Sequence, residues 1–232
     1  VGLGNMGGPM CLRLLAAGYP VTAFDLNPEA MARATAAGAR AASSATDCAA
    51  GSDIFLTSLP RPDHVETVMA GEQGALARLK KDSLWIDLTT NRKEMVEAFA
   101  AQAPSGVSVV DAPVTGAVDG ARNGKLTLFV GGSAPDFARA EAVLRHLGMV
   151  IHCGPLGTGN VVKNKRLPQL LRHAGEDEAG LVVTTTTRGK GHDQSDRLGG
   201  IGLRHGRSAH HTRTQSHGGA RQPGPPGTPG RL

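Results

Sequence analysis

The chain has 232 residues, a hydrophobic fraction of 40%, only 3% aromatics and a formal net charge of +5, which suits one or two domains built on small apolar side chains. No apolar run approaches the roughly 18–20 residues of a membrane-spanning helix, so no membrane partner is expected. Three cysteines (Cys11, Cys48, Cys153) fall in no metal-ligand pattern, which points to free thiols, a reducing cytoplasmic setting and no metal site.

The charge is unevenly held. Residues 164–232 carry 11 basic and 5 acidic side chains, a net of +6, whereas residues 1–163 carry 14 and 15, a net of −1. The basic stretch has no Phe, Tyr or Trp to stack on bases, so no nucleic-acid partner is expected either.

The chain opens Val-Gly-Leu-Gly-Asn-Met-Gly, which fits G-x-G-x-x-G. In that pattern Gly2 makes the tight turn, Gly4 lets backbone approach a pyrophosphate, and Gly7 lets the following helix pack closely on the sheet. The motif ordinarily follows a hydrophobic strand, reduced here to Val1. The sequence therefore reads as an N-terminally clipped piece of a longer protein, lacking most of its first strand. Pro9–Ala17 is predicted as a helix stopped by Gly18. Val21–Phe24 is predicted as a strand ending at Asp25, 18 residues beyond Gly7, close to the roughly 20-residue spacing of a ribose-binding acid. A carboxylate there accepts from the ribose hydroxyls and repels a 2′-phosphate. Leu26 and Asn27 stand where an arginine would favour NADP. NAD is the expected cofactor, and NADP the less favoured one.

Pro28 begins a helix that ends at Gly38. Strands are predicted over Ile54–Ser58, closed by Leu59-Pro60, and over Leu84–Leu88, Val107–Val110, Leu126–Val130 and Val150–Cys153. Helical patterns run from Asp63, over Arg92–Ala103 and over Pro135–Leu147. This alternation is the signature of a Rossmann-like, doubly wound α/β sheet.

Two further segments carry chemistry. In Asp-Ala-Pro-Val-Thr-Gly-Ala (111–117), Thr115 and the N–H groups of Gly116 and Ala117 can present donors to a carboxylate; taken alone, a plain turn is the better reading. In Gly-Thr-Gly-Asn-Val-Val-Lys (157–163), a helix starting near Gly159 puts Lys163 one turn in, facing the strand ends. Taken alone, a solvated lysine is the commoner reading.

Together, in this order and spacing, the three segments resemble the β-hydroxyacid dehydrogenase family, and the resemblance covers residues 1–163 almost without interruption. Gly2–Met10 looks like its cofactor signature (Gly2, Leu3, Gly4, Asn5, Met6, Gly7). Residues 111–117 look like its substrate segment, with Thr115 where Ser is commoner and Ala117 where Gly is. Residues 157–163 look like the segment that brings in the catalytic lysine. Leu59-Pro60 and Asp87-Leu-Thr-Thr90 resemble two cofactor-contacting loops. The resemblance implies NAD-dependent hydride transfer with a small 3-hydroxy acid such as 3-hydroxyisobutyrate. Lys163 would be the acid–base, and Thr115, Gly116 and Ala117 would hold the substrate carboxylate. A reductase of tartronate semialdehyde or a related semialdehyde, and a catalytically inactive dinucleotide-binding fragment, are the alternatives.

The family continues with an Asn-Asn pair three and four residues past the lysine, then an all-helical domain that closes the cleft and makes the homo-oligomer. Here those positions are Arg166 and Leu167. Residues 164–232 hold 13 Gly, 6 His and only 14 Ala, Val, Ile or Leu in 69, too little to bury a core. The expectation is a cofactor domain over 1–163, then a disordered or out-of-frame tail over 164–232 with at most a short helix at 167–173. Such a chain is expected to be impaired as an enzyme.

Overall fold

The computed structural model describes residues 1–166; the tail expectation and its short helix lie outside the described residues from 167 onward. Helix α1 (Gly7–Ala16) leaves the glycine loop and leads to strand β1 (Thr22–Ala23), helix α2 (Pro28–Ala36), strand β2 (Arg40–Ala41) and helix α3 (Ala45–Ala50). Strand β3 (Ile54–Thr57), helix α4 (Pro62–Met69), a 3-10 turn (Leu76–Arg78), strand β4 (Leu84–Asp87) and helix α5 (Lys93–Gln102) follow. Then come β5 (Ser108–Asp111), β6 (Val114–Thr115), α6 (Ala117–Asn123), β7 (Leu126–Gly131), α7 (Ala134–Leu144) and β8 (Gly148–Gly154). A short helix α8 (Thr158–Val161) runs into a π-helical turn over Val162–Arg166, three residues past the boundary read from the sequence.

Local chemistry sets the ends. The Asn27 side chain accepts from the N–H of Glu29 at 2.9 Å and of Ala30 at 3.4 Å, with Pro28 in the first turn of α2. Ser44 and Ser133 cap α3 and α7 in the same way. The chain leaves α2 through Gly38 at φ +103°, a left-handed conformation that glycine adopts freely.

Strands β3, β4 and β5 are parallel and in continuous register (Ile54 with Leu84, Leu84 with Ser108). β7 runs antiparallel to the end of β5 (Asp111 with Gly131) and to β6 (Val114 with Leu128), and β8 joins β7 in parallel. β1 and β2 form a separate parallel pair. Val1 fills the gap between the two sheets. Its N-terminal ammonium donates to the Leu56 carbonyl at 2.7 Å, its carbonyl accepts from Ser58 N–H at 3.0 Å, and Gly2 N–H donates to the Phe24 carbonyl at 3.1 Å. The spatial order is thus β2, β1, Val1, β3, β4, β5. That is the doubly wound order of a dinucleotide fold, with its switch point at Val1.

Every residue of β4 is buried, as expected of a central strand covered on both faces. Leu84 and Ile86 join Leu128, Val130 and Leu144 in one cluster, and Trp85 joins Phe55, Val65 and Phe99 in another. A third, smaller cluster of Leu3, Cys11, Ala23, Ala30, Ala34 and Ala39 lies under the glycine loop. All three cysteines are free thiols, two of them buried.

Candidate functional site

Of the predicted site residues, Gly2 to Met6, Asp25, Leu59, Pro60 and Thr90 lie on the loops that follow Val1, β1, β3 and β4, at the strand ends where open α/β sheets bind ligands. Gly2 has φ +84°, and a Cβ there would overlap the Ser58 carbonyl; a Cβ at Gly7 would overlap the Gly2 carbonyl. Packing inside the protein therefore demands those two glycines. Gly4 is different: it is exposed, and no atom lies within 4 Å of where its Cβ would stand. Nothing in the fold requires glycine at position 4, so the open space fits a group that approaches the backbone from outside. The N-terminus of α1 has no side-chain cap and no acidic residue in its first turn. Its free N–H groups and dipole suit a phosphate. Asn5 is exposed, Met6 is half-buried against the main core, and Leu3 is buried.

Asp25 is half-buried at the end of β1. It accepts from Leu3 N–H at 2.5 Å and from Asn27 N–H at 2.7 Å. The carboxylate is thus fixed against the glycine loop, and each oxygen keeps a lone pair for a further donor.

Leu59 and Pro60 turn out of β3, and Leu59 N–H donates to Thr89 Oγ1 at 3.0 Å. Asp87, at the start of the loop that carries Thr90, points inward. It accepts from Thr57 Oγ1 at 2.9 Å, Thr89 N–H at 3.0 Å and Asn91 Nδ2 at 3.2 Å, while Trp85 Nε1 donates to Thr57 Oγ1 at 2.9 Å. Burial pushes the Asp87 carboxyl above its ordinary range, and these donors work against the shift. Thr90, next along, is exposed on the loop.

The helical turn expected near Gly159 begins at Thr158 and presents Lys163 to that loop, with Lys163 Nζ donating to Thr90 Oγ1 at 2.5 Å. Lys163 is half-buried, and desolvation lowers its pKa below the ordinary lysine range. Behind it, Asp111 is fully buried and accepts from Gly157 N–H at 2.6 Å, Asn160 N–H at 2.8 Å and Asn160 Nδ2 at 2.9 Å. Burial raises the Asp111 carboxyl to about 6 against those donors. Asn160 Oδ1 accepts in turn from Asn91 N–H at 2.7 Å.

Thr115 is half-buried on the short strand β6, paired with Thr127, and Gly116 and Ala117 are exposed at the start of α6. Gly116 has φ +123° and Ala117 φ +53°, and α6 has no side-chain cap. The structure thus joins Lys163 to Thr90, Leu3 to Asp25 and Leu59 to the Thr89–Thr90 loop. Among the described residues, no hydrogen bond links Thr115 to Lys163. No group of three or more His, Cys, Asp or Glu side chains is placed to hold a metal among the described residues, and no helix there is long and apolar enough to cross a membrane.

Asp111 and Asn160 lie in the segments 111–117 and 157–163, but no local pattern marks them for a role, and none marks Asn91. The available signals were an Asp closing each of two adjacent strands, and the glycines at 157 and 159 flanking the turn.

A doubly wound sheet, a glycine loop open at its second glycine and an acid at the end of the second strand define a dinucleotide-binding domain. Residues 1–154 match the family described as the NAD binding domain of 6-phosphogluconate dehydrogenase, and the chain belongs to that β-hydroxyacid dehydrogenase family, on its 3-hydroxyisobutyrate dehydrogenase-like side. It is 44% identical over 165 residues to the 3-hydroxyisobutyrate dehydrogenase of Pseudomonas aeruginosa, covering 70% of this chain and 55% of that protein. It is 38% identical over the same length to the NAD-dependent L-serine dehydrogenase of that organism, with the same coverage. The structure of Mycobacterium tuberculosis 3-hydroxyisobutyrate dehydrogenase with L-serine superposes with a TM-score of 0.65 at 36% identity, over 70% of this chain and 55% of that one. The chain therefore spans about half the length of the relatives it matches.

Proposed function

We propose that residues 1–163 are the cofactor domain of an NAD-dependent dehydrogenase acting on small 3-hydroxy acids, with Lys163 as its acid–base group. The observation that carries this reading is the position of Lys163. The residue is half-buried, its amine is tied to Thr90, and desolvation holds it below the ordinary lysine range. A lysine so placed is neutral more often than an exposed one, and a neutral amine is what accepts a proton.

Gly2, Leu3, Gly4, Asn5, Met6 and Gly7 would hold the pyrophosphate at the N-terminus of α1, and Asp25 would accept from the adenosine ribose. Leu59, Pro60 and Thr90 would flank the nicotinamide half. The carboxylate at 25, followed by Leu26 and Asn27 rather than a cation, favours NAD over NADP. When bound, the dinucleotide supplies the hydride acceptor. Thr115 and the N–H groups of Gly116 and Ala117 would grip the substrate carboxylate at the uncapped start of α6. The substrate hydroxyl would lose its proton to Lys163 Nζ, and in the reverse direction Nζ would return it. The compounds named for the relatives, 3-hydroxyisobutyrate and L-serine, share one skeleton, a primary hydroxyl two carbons from a carboxylate. That shared skeleton is what the site would read.

The test uses the purified full chain. NAD binding is titrated, and NADH formation from 3-hydroxyisobutyrate is followed in single-turnover mixtures. Lys163→Ala is expected to lower the rate by about 10²- to 10⁴-fold and to leave NAD affinity close to that of the parent. An unchanged rate overturns the role of Lys163. NAD binding without any Lys163-dependent rate reduces the reading to a nucleotide-binding module.

A further inference from the structure

We infer that Asp111 and Asn160 are positioning residues, which fasten the turn carrying Lys163 to the loop carrying Thr90 and so fix where the Lys163 amine stands. This rests on the reading of Lys163 as the acid–base group and adds to it the machinery that aims it.

Three observations converge. First, Asp111 is a fully buried carboxylate whose side-chain donors are the N–H of Gly157 and two groups of Asn160, 46 to 49 residues away in the chain. An ordinary helix start is capped by its own N-cap side chain. Here that residue is Gly157, in the left-handed region at φ +85° and with no side chain to offer. The cap comes from the end of β5 instead, and burying a charge for it is costly unless it is fully hydrogen-bonded.

Second, the surrounding backbone is built to admit the carboxylate. A Cβ at Gly131 would overlap Asp111 Oδ1, and one at Gly159 would come within 2.9 Å of Oδ2 and overlap the Phe129 carbonyl. The glycines on both sides of the buried acid thus read as its clearance.

Third, Asn160 is 1% exposed and uses its whole amide. Nδ2 donates to Asp111, and Oδ1 accepts from Asn91 N–H, one residue from Thr90. Asn160 and Lys163 stand three apart on one turn, hence on one side of it. The contacts form a closed ring: Asn160 to Asn91, Asn91 to Thr90 through the chain, Thr90 to Lys163, and Lys163 back to Asn160 along the turn. Asn164 Nδ2 adds a second tie to the Asn91 carbonyl at 3.1 Å. A stabilising cap alone needs Asp111 and the N–H groups. The side-chain bond from Asn160 to the Thr90 loop matters for aiming the lysine.

The experiment labels the full chain with an amine-selective acylating reagent across a pH series and reads Lys163 by peptide mass spectrometry, with exposed Lys81 as internal reference. In the parent, Lys163 is expected to titrate below Lys81. In Asn160→Ala and in Asp111→Asn its titration is expected to move up toward that of Lys81, with labelling near neutral pH slowed by about threefold or more. A folded variant whose Lys163 titrates as in the parent overturns the positioning role and leaves the acid–base reading standing. A parent Lys163 that titrates like Lys81 overturns both. If either variant does not fold, amide exchange of the parent decides. The N–H groups of Gly157, Asn160 and Asn91 are expected to exchange as slowly as those of β4, and exchange as fast as at an exposed helix end overturns the proposal.

Discussion

The two sides of the crevice at Val1 are built from different materials. On one side, β1 and β2 are two residues each, pair with one another, and rest on a cluster in which four of the six buried members are alanines. On the other, β3, β4 and β5 are four residues each in unbroken register, over clusters that include Trp85, Phe55, Met69 and Leu84. At about 25 cal/mol per Å² of apolar surface, an alanine contributes far less than a tryptophan or leucine. The β1–β2 side therefore depends on local devices: the Asn27 cap, the Asp25 bonds to the loop, the glycine turns and three backbone bonds through Val1 and Gly2. The β3–β5 side is held by bulk and by its buried polar chain. A dinucleotide lying across the switch point would rest on one side that packing has already fixed and one that its own contacts must help to fix.

The sharpest way to break this comparison is to remove bulk from the better-packed side. Trp85 is fully buried, stacks edge-on against Phe99 with ring centroids 5.6 Å apart, and donates to Thr57. Trp85→Ala is expected to cost about 3–5 kcal/mol of global unfolding free energy, measured by denaturant titration. Ala34→Gly, in the alanine cluster on α2, is expected to cost about 1 kcal/mol. Equal costs would mean that the two sides do not differ in what holds them.

The next largest effect is a pH dependence centred on Asp111, on the β4–β5 side. Asp111 titrates at about 6 in the folded protein against an ordinary 3.8. Between those values the folded state binds more protons than the unfolded one. The Asp111 contribution is therefore fullest below about pH 4 and is lost as pH rises through about 6, about 3 kcal/mol in all. Asp87, also raised by burial, slopes the same way. Exposed Asp47, Asp53 and Asp63 lie below the ordinary range through bonds to Ser43, Lys80 and Arg61, so their contributions are lost only as pH falls through their lowered values. Unfolding free energies across this range are expected to decline with rising pH, and Asp111→Asn is expected to flatten the decline. A parent profile that rises over the same interval contradicts the buried-acid account.

What could be read in advance follows the same division by physical cause. The glycine loop, Asp25 and strands β3 to β5 were legible because turn residues and apolar runs mark them locally, and Val1, placed by the motif on the strand side of the loop, does bond along β3. β2 and α3 were not: Arg40–Ala41 is too short for an alternating pattern, and the alanines of 41–50 have no helical spacing of large apolar residues. The short strand β6 is defined by its partner on β7, so Val114–Thr115 looked like part of a turn. Lys163 and Thr90 were each picked out, for different roles, but their contact spans 73 residues. The bonds from Asp111 to Asn160 and from Asn160 to Asn91 are equally non-local, and Asp87 turns inward because Thr57, Thr89 and Asn91 surround it. Such partnerships exist only once the strands are aligned.

The smallest expected effect is also the most local. Asn27 closes the start of α2 through the N–H groups of Glu29 and Ala30. Asn27→Ala removes both acceptor contacts and is expected to cost about 1 kcal/mol. Where that loss appears matters more than its size. If the β1–β2 side opens without disturbing the rest, native-state amide exchange will speed up in α2 and across the pairing of Thr22 with Arg40, while the amides of β4 keep their parental rates. If the amides of β4 speed up by the same factor, α2 opens only when the whole domain does. The two sides would then be one cooperative unit, and the alanine cluster would share fully in the stability of the larger core.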